Sequence, residues 1–233
     1  MRGYLKDHRL TSLIQIPLVF SCPRNIQLAP PILPALGADD EGVLRYALVD
    51  PVTGAESPGE PLSPDDLAWV QRWWPEGTRV ELGAPRDTAW AEAVGSVLVG
   101  AALTVDYGHI LGARPLVGTL TGFFAGRGAP TIPDGSADLT AHVAMDAARA
   151  AGEAVSGQSA LLLTQRDALT RLGVDGTRPP IDLAHRDPQG YIRGLSGATQ
   201  AAELTDPAGL GGHYWIVQPV GLPLEALPLG WAD

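Results

Sequence analysis

Cysteine occurs once in the 233 residues, at Cys22. That excludes a disulfide framework within the chain and any cysteine-rich zinc site. Lysine also occurs once, at Lys6, and the other 15 basic residues are arginines. With abundant alanine, glycine and proline, this reads as a GC-rich coding sequence before it reads as chemistry. No apolar run reaches the ~20 residues of a bilayer span. There is no phosphate loop ending in Gly-Lys-Ser/Thr and no Gly-x-Ser-x-Gly nucleophile turn. The five histidines, at positions 8, 109, 142, 185 and 213, include no His-x-x-x-His pair, so a helical zinc motif is absent. Positive charge is scarce too. The net charge of -10 repels phosphate backbones and argues against nucleic acid as a partner. What is present is globular: 45% hydrophobic and 18% charged residues, in a chain long enough for a core without staples.

The charge is uneven. Residues 1–30 carry +3 and the remainder -13. The apolar run Leu10–Phe20 lies between a basic start and Ser21-Cys22, the outline of a secretory signal. Pro17 interrupts that run, and Phe20 fits poorly before a lipoprotein cysteine. Residues 1–30 are therefore expected to be an irregular extension or a mis-set gene start. An exported lipoprotein anchored at Cys22 is the weaker alternative. Residues 31–233 are expected to form the folded domain of a cytoplasmic protein without a membrane partner.

Past residue 30 the pattern becomes regular. Pro30, Pro31 and Pro34 suggest an extended lead-in, and Val43–Val49 a strand. Asp50–Pro61 reads as turns. Ser63 then caps a helix with Pro64 at its first position and Asp65 and Asp66 in its first turn. Leu67, Val70, Trp73 and Trp74 form its apolar face. Thr78–Leu82 predicts a strand and Pro85–Val99 a helix. Ala101–Tyr107 is the strongest strand, apolar on both faces as in a buried parallel sheet. Pro115–Phe124 reads as extended. Ala141–Gly152, Thr164–Leu172 and Pro188–Leu204 read as helices, the last with glycine breaks, and His213–Val220 as a closing strand. Strands alternating with helices predict an α/β sandwich with a mostly parallel sheet.

Three segments carry candidate chemistry. Val80-Glu81-Leu82-Gly83-Ala84-Pro85-Arg86-Asp87 has the outline of a cofactor loop after a strand. It has one glycine where several are needed for a ligand to approach the backbone, so it reads as a strand running into a proline-started helix. Asp106-Tyr107-Gly108-His109 ends the strongest strand, where open α/β sheets gather ligand sites. An Asp and a His there suit acid, base or anchoring roles, and a polar strand end is the plainer reading. In Asp138-Leu139-Thr140-Ala141-His142-Val143, Asp138 or Thr140 is expected to cap a helix. That would place His142 in its first turn, where the helix dipole disfavours imidazolium. Gly209–Gly212 reads as a flexible turn.

Four blocks fall in order: Leu103–His109 (LTVDYGH), Gly118–Phe123 (GTLTGF), Ala137–Val143 (ADLTAHV), and Leu163–Leu169 (LTQRDAL) leading to Leu172-Gly173. Together they resemble the C-terminal half of the MidA-type S-adenosylmethionine-dependent methyltransferases. That family includes a mitochondrial complex I assembly factor that methylates an arginine. The resemblance covers about residues 36–218. It departs from the family pattern at Ala144, where an Asp is usual, and at Arg166, where a Gly is usual. The family's Glu-Leu-Gly-x-Gly-x-Gly loop and its Asn-Glu-Phe/Leu-Leu/Phe-Asp segment have no counterpart.

The resemblance implies a partial Rossmann-like methyltransferase sandwich, with a mostly parallel sheet and an antiparallel closing strand, lacking the N-terminal cofactor-binding strands. It implies S-adenosylmethionine as the cofactor, a protein arginine as the acceptor, and Asp106, Tyr107 and His142 near the pocket. The implied partner is a protein substrate or a missing N-terminal half. The alternative is a noncatalytic binding or assembly module. Without its first strands, the sheet should leave Ala101–Tyr107 or its neighbour at an edge, open to oligomerisation and covered at most by Leu10–Phe20.

Overall fold

A computed structural model describes residues 43–227, together with the strands Ser12–Gln15 (β1) and Pro34–Ala38 (β2). Cys22 and the rest of Leu10–Phe20 lie outside the described residues.

Residues 34–81 build an antiparallel sheet with one helix against it. Leu44–Val49 (β3) pairs with β2 on one side and with Glu56–Pro61 (β4) on the other. The segment expected to be turns thus contains an edge strand. Pro58 and Pro61 are tolerated there because an edge strand does not need every N–H in the ladder. Ser63 caps Pro64–Trp73 (α1) as its sequence predicts: its Oγ accepts from Asp66 N at 3.1 Å. Arg79–Glu81 (β5) completes the sheet order β4-β3-β2-β5. Trp69 and Val70 of α1 and Trp74 just after it pack with Leu62, Val80 and Leu82 in one apolar cluster.

Ala84–Gly95 (α2) leads into Gly100–Asp106 (β6). Gly108–His109 (β7) follows at once. Thr121–Phe124 (β8), Arg127–Ala129 (β9) and Asp138–Thr140 (β10) form a small antiparallel sheet of order β10-β8-β9. Val143–Ala144 (β11) pairs in parallel with β7 and runs directly into Met145–Ser156 (α3). Leu161–Thr164 (β12), Gln165–Arg171 (α4), Asp182–Arg186 (α5), Pro188–Thr205 (α6) and Tyr214–Val220 (β13) complete the described chain. The glycines of α6 do not break it.

The central sheet has the order β1-β6-β13-β12. Both faces of β6 are covered. Ala102 lies with Trp90, Val94, Met145, Ala148 and Ile216, so α2 and α3 cover one side. Ala101 and Leu103 lie with Val217, Ala168 and Leu163 on the other. β1 runs parallel to β6 in the register Ser12↔Gly100 to Gln15↔Leu103 and forms the outer strand beside it.

Two expectations need correction. The sheets are mixed rather than mostly parallel: among the described residues only β1–β6 and β7–β11 pair in parallel, while β13 runs antiparallel to both its neighbours. Apolar residues on both faces show that a strand is covered, and they say nothing about the direction of its neighbours. The helix expected from Ala141 begins instead at Met145, with Ala144 as its N-cap. Val143 and Ala144, the residues after His142, are held extended by pairing to β7. His142 is therefore not in a helix first turn, and neither Asp138 nor Thr140 caps α3. No described helix is long and apolar enough to cross a membrane.

Candidate functional site

The carboxyl end of β6 collects most of the buried charge. Asp106 is 1% exposed. Its Oδ1 accepts from Tyr107 N at 2.8 Å, and its Oδ2 has no partner among the described residues. Burial pushes its carboxyl up to about 6, against the Tyr107 N–H and the Arg86 charge. Arg86 comes from the first turn of α2 and is itself buried. Burial pulls it down from its usual range, while Asp106, Glu81 and Asp87 favour its charged form. One buried cation thus serves three carboxylates.

Tyr107 and His109, which follow along the chain, have different partners. The Tyr107 ring meets the His142 ring edge-on at 5.2 Å and the His213 ring at 5.8 Å. His142 is exposed. Burial, His213 and Arg86 all hold it below its ordinary value, so it is neutral at pH 7. His213 Nδ1 lies 2.9 Å from Leu210 O. A carbonyl can only accept, so Nδ1 carries a proton and donates to it.

His109 is buried under Trp74, ring to ring at 4.4 Å. Its Nδ1 faces Arg114 Nη1 at 2.8 Å. Arginine can only donate, so this imidazole carries its proton on Nε2, an atom without a partner among the described residues. Burial and the Arg114 charge push His109 down to about 3. It is a neutral structural ring at any ordinary pH.

Of the three residues singled out in the sequence, the structure puts Asp106 and Tyr107 at the strand end and brings His142 onto Tyr107. Sequence reasoning missed His213, which precedes a strand with no motif around it. It also passed over Glu81 and Arg86, because their segment reads as an ordinary strand-to-helix turn. The pair of an acid and an arginine flanking one glycine turn was the available signal.

That turn is not a ligand cradle. The Trp69 ring fills the space beside Gly83, where an added Cβ would lie 2.5 Å from Trp69 Cζ2. Trp69 Nε1 also donates to Asp87 Oδ2 at 2.7 Å. Among the described residues no group of histidine, cysteine and acidic side chains is arranged to hold a metal ion.

Burial pushes Asp87 up to about 7, against the Trp69 hydrogen bond. A carboxyl raised above its free value near 3.8 keeps a proton in the folded state that the unfolded chain has released. Its stabilising share is present at low pH and is lost as pH rises towards and through 7. Urea unfolding of the parent and Asp87→Asn at pH 5 and pH 8 should show this. The variant, whose amide oxygen still accepts from Trp69, should gain on the parent by about 1 kcal/mol or more at the higher pH. Equal differences at both pH values would count against the buried acid.

Residues 40–164 match the model of a family described as "Putative S-adenosyl-L-methionine-dependent methyltransferase". No curated protein sequence matches the chain. Two solved structures from Burkholderia thailandensis share the fold. One is described as a "COG1565 superfamily member and likely methyl transferase" bound to S-adenosyl-homocysteine. It aligns at 20% identity with a TM-score of 0.66, covering 94% of this chain and 56% of that one. The other, described as an uncharacterized protein of the same superfamily, aligns at 20% identity with a TM-score of 0.62, covering 84% of this chain and 54% of that one. The chain therefore spans little more than half the length of these neighbours.

Proposed function

We propose that this chain, which belongs to the family of S-adenosyl-L-methionine-dependent methyltransferases matched by residues 40–164, supplies the acceptor side of a MidA-type methyl-transfer site for a protein arginine. S-adenosylmethionine is the expected cofactor, and when bound it supplies an electrophilic methyl group. The described residues do not fit it by themselves: the one glycine turn between a strand and a helix is filled by Trp69. On this reading the groups that cradle the cofactor are not among the described residues. The sheet order β1-β6-β13-β12, with antiparallel β13 inside it, supports a partial methyltransferase sandwich.

The observation that carries the acceptor reading is the buried Asp106 Oδ2, without a hydrogen-bond partner among the described residues, at the strand end next in sequence to a tyrosine flanked by two imidazoles. A guanidinium is planar and donates in a fork, so it pairs with carboxylates and lies flat on aromatic rings. A carboxylate fixed in a dry site offsets its charge without reorganising. Neutral His142 adds no repulsion.

Calorimetry with S-adenosylmethionine, followed by transfer of labelled methyl to arginine-containing peptides, tests the reading. The label should appear on arginine nitrogen, and Asp106→Asn should slow transfer about 100-fold. Label on another residue type, or a rate indifferent to Asp106, would remove the arginine assignment.

A further inference from the structure

The segment Glu81–Asp87 is not needed as a cofactor loop, yet it buries two charged side chains. Glu81 is 1% exposed and Arg86 6%. Burial drives the Glu81 carboxyl up from its usual range and Arg86 down. Both side chains reach the same place. Glu81 Oε1 accepts from Thr119 N at 2.7 Å and from Leu120 N at 3.3 Å, and its Oε2 accepts from Thr119 Oγ1 at 3.2 Å. Having donated to Glu81, that hydroxyl accepts from His142 N at 2.8 Å. Arg86 Nη1 donates to His142 O at 3.3 Å. The backbone of one residue is thus held at its N–H through Glu81 and Thr119, and at its carbonyl by Arg86.

Gly118 makes the arrangement possible. A Cβ there would collide with Glu81 Oε1 and Arg79 Cδ, so the loop could come down onto the carboxylate only by displacing those side chains. The held residue is exposed, and its ring is no part of the core. Two desolvated charges fixing the backbone of an exposed ring are poorly explained by stability, because buried ions seldom repay their desolvation.

We infer that Glu81, Thr119 and Arg86 are positioning residues whose role is to hold the His142 ring against Tyr107. They fix the imidazole on the acceptor side, and Arg86 ties that placement to Asp106. The functional meaning rests on the acceptor reading above. The holding itself does not, and it is measured without turnover or cofactor.

The test uses the full chain, with amide hydrogen exchange and histidine titration read by NMR. Thr119→Val removes the hydroxyl and keeps the shape, and Thr119→Ser restores the hydroxyl. In the valine variant the His142 amide should exchange at least about tenfold faster. Its imidazole, released from Tyr107, His213 and Arg86, should titrate higher, towards the ordinary value of 6.5. The amides of Trp90 and Val94 in the core helix α2 should keep their parental rates, and the serine variant should restore both His142 signals. Parental His142 exchange and titration in Thr119→Val would overturn the proposal. So would an equal acceleration of the α2 amides, which marks a global loss of stability, or a serine variant that fails to restore the ring. Gly118→Ala provides a second route and should reproduce the valine phenotype. A methylation assay that fails while these signals move as expected would remove the acceptor reading and leave the positioning intact.

Discussion

Arg114→Ala is expected to cost the chain about 3–5 kcal/mol, the usual loss when one member of a buried ion pair is removed. Arg114 joins three separate elements. Its Nε donates to Trp73 O at 2.6 Å at the end of α1. Its Nη1 donates to His109 O and lies against His109 Nδ1, both at 2.8 Å. Its Nη2 pairs with Asp146 Oδ1 at 2.5 Å, in the first turn of α3. The two side chains are only 5% and 12% exposed, so solvent screens little of the interaction. Alanine would leave Asp146 charged with only the N–H groups of Leu111 and Ala147 to hold it. Trp73 O and both His109 atoms would lose their donor. Urea unfolding followed by tryptophan fluorescence measures the loss, and the melting temperature should fall by roughly 10 °C. Arg114→Lys should recover little, because an ammonium cannot present a fork to acceptors in three directions. Replacing both partners, Arg114→Met with Asp146→Leu, should be milder than Arg114→Ala alone. A loss below about 1 kcal/mol would class this pair with ordinary surface pairs.

Gly108→Ala is the second large effect expected. β7 and β11 pack so closely that a Cβ at position 108 would collide with Val143 O and lie 2.7 Å from Met145 Cγ. The obstacle is backbone, which cannot swing aside as a flexible side chain could. Overpacking of this kind costs about 2–3 kcal/mol, measurable as a lower melting temperature. It should also separate His142 from Tyr107, because the Val143 N to Tyr107 O hydrogen bond at 3.1 Å is next to the collision. Nuclear Overhauser contacts between the two rings should weaken together with the stability. An unchanged melt with intact ring contacts would mean the strands have slack that the structure does not show.

What could be read from the sequence alone was local. Ser63 with Pro64, Asp65 and Asp66 marks the start of α1 because a cap acts within one turn. The strands at Leu44–Val49, Gly100–Asp106 and Tyr214–Val220 were legible because β-branched and apolar runs carry their own signal. Asp106 and Tyr107 could be placed at a strand end for the same reason.

The rest depended on partners distant in sequence. Strand direction was decided by which strands pair, and the both-face burial of β6 carries no sign of direction. The start of α3 was moved from Ala141 to Met145 because Val143–Ala144 pairs with β7, a contact that outweighs the helix propensity of alanine. Glu81 and Arg86 gained their partners only when the loop at Gly118 folded onto them. His213, more than 100 residues after Tyr107, reached its ring only because β13 lies antiparallel against β6, with Tyr214 opposite Asp106. Caps and periodicity act over a few residues and are written in order along the chain. A site made of one ring from each of three segments exists only after the sheet has closed, so tertiary structure alone assembled it.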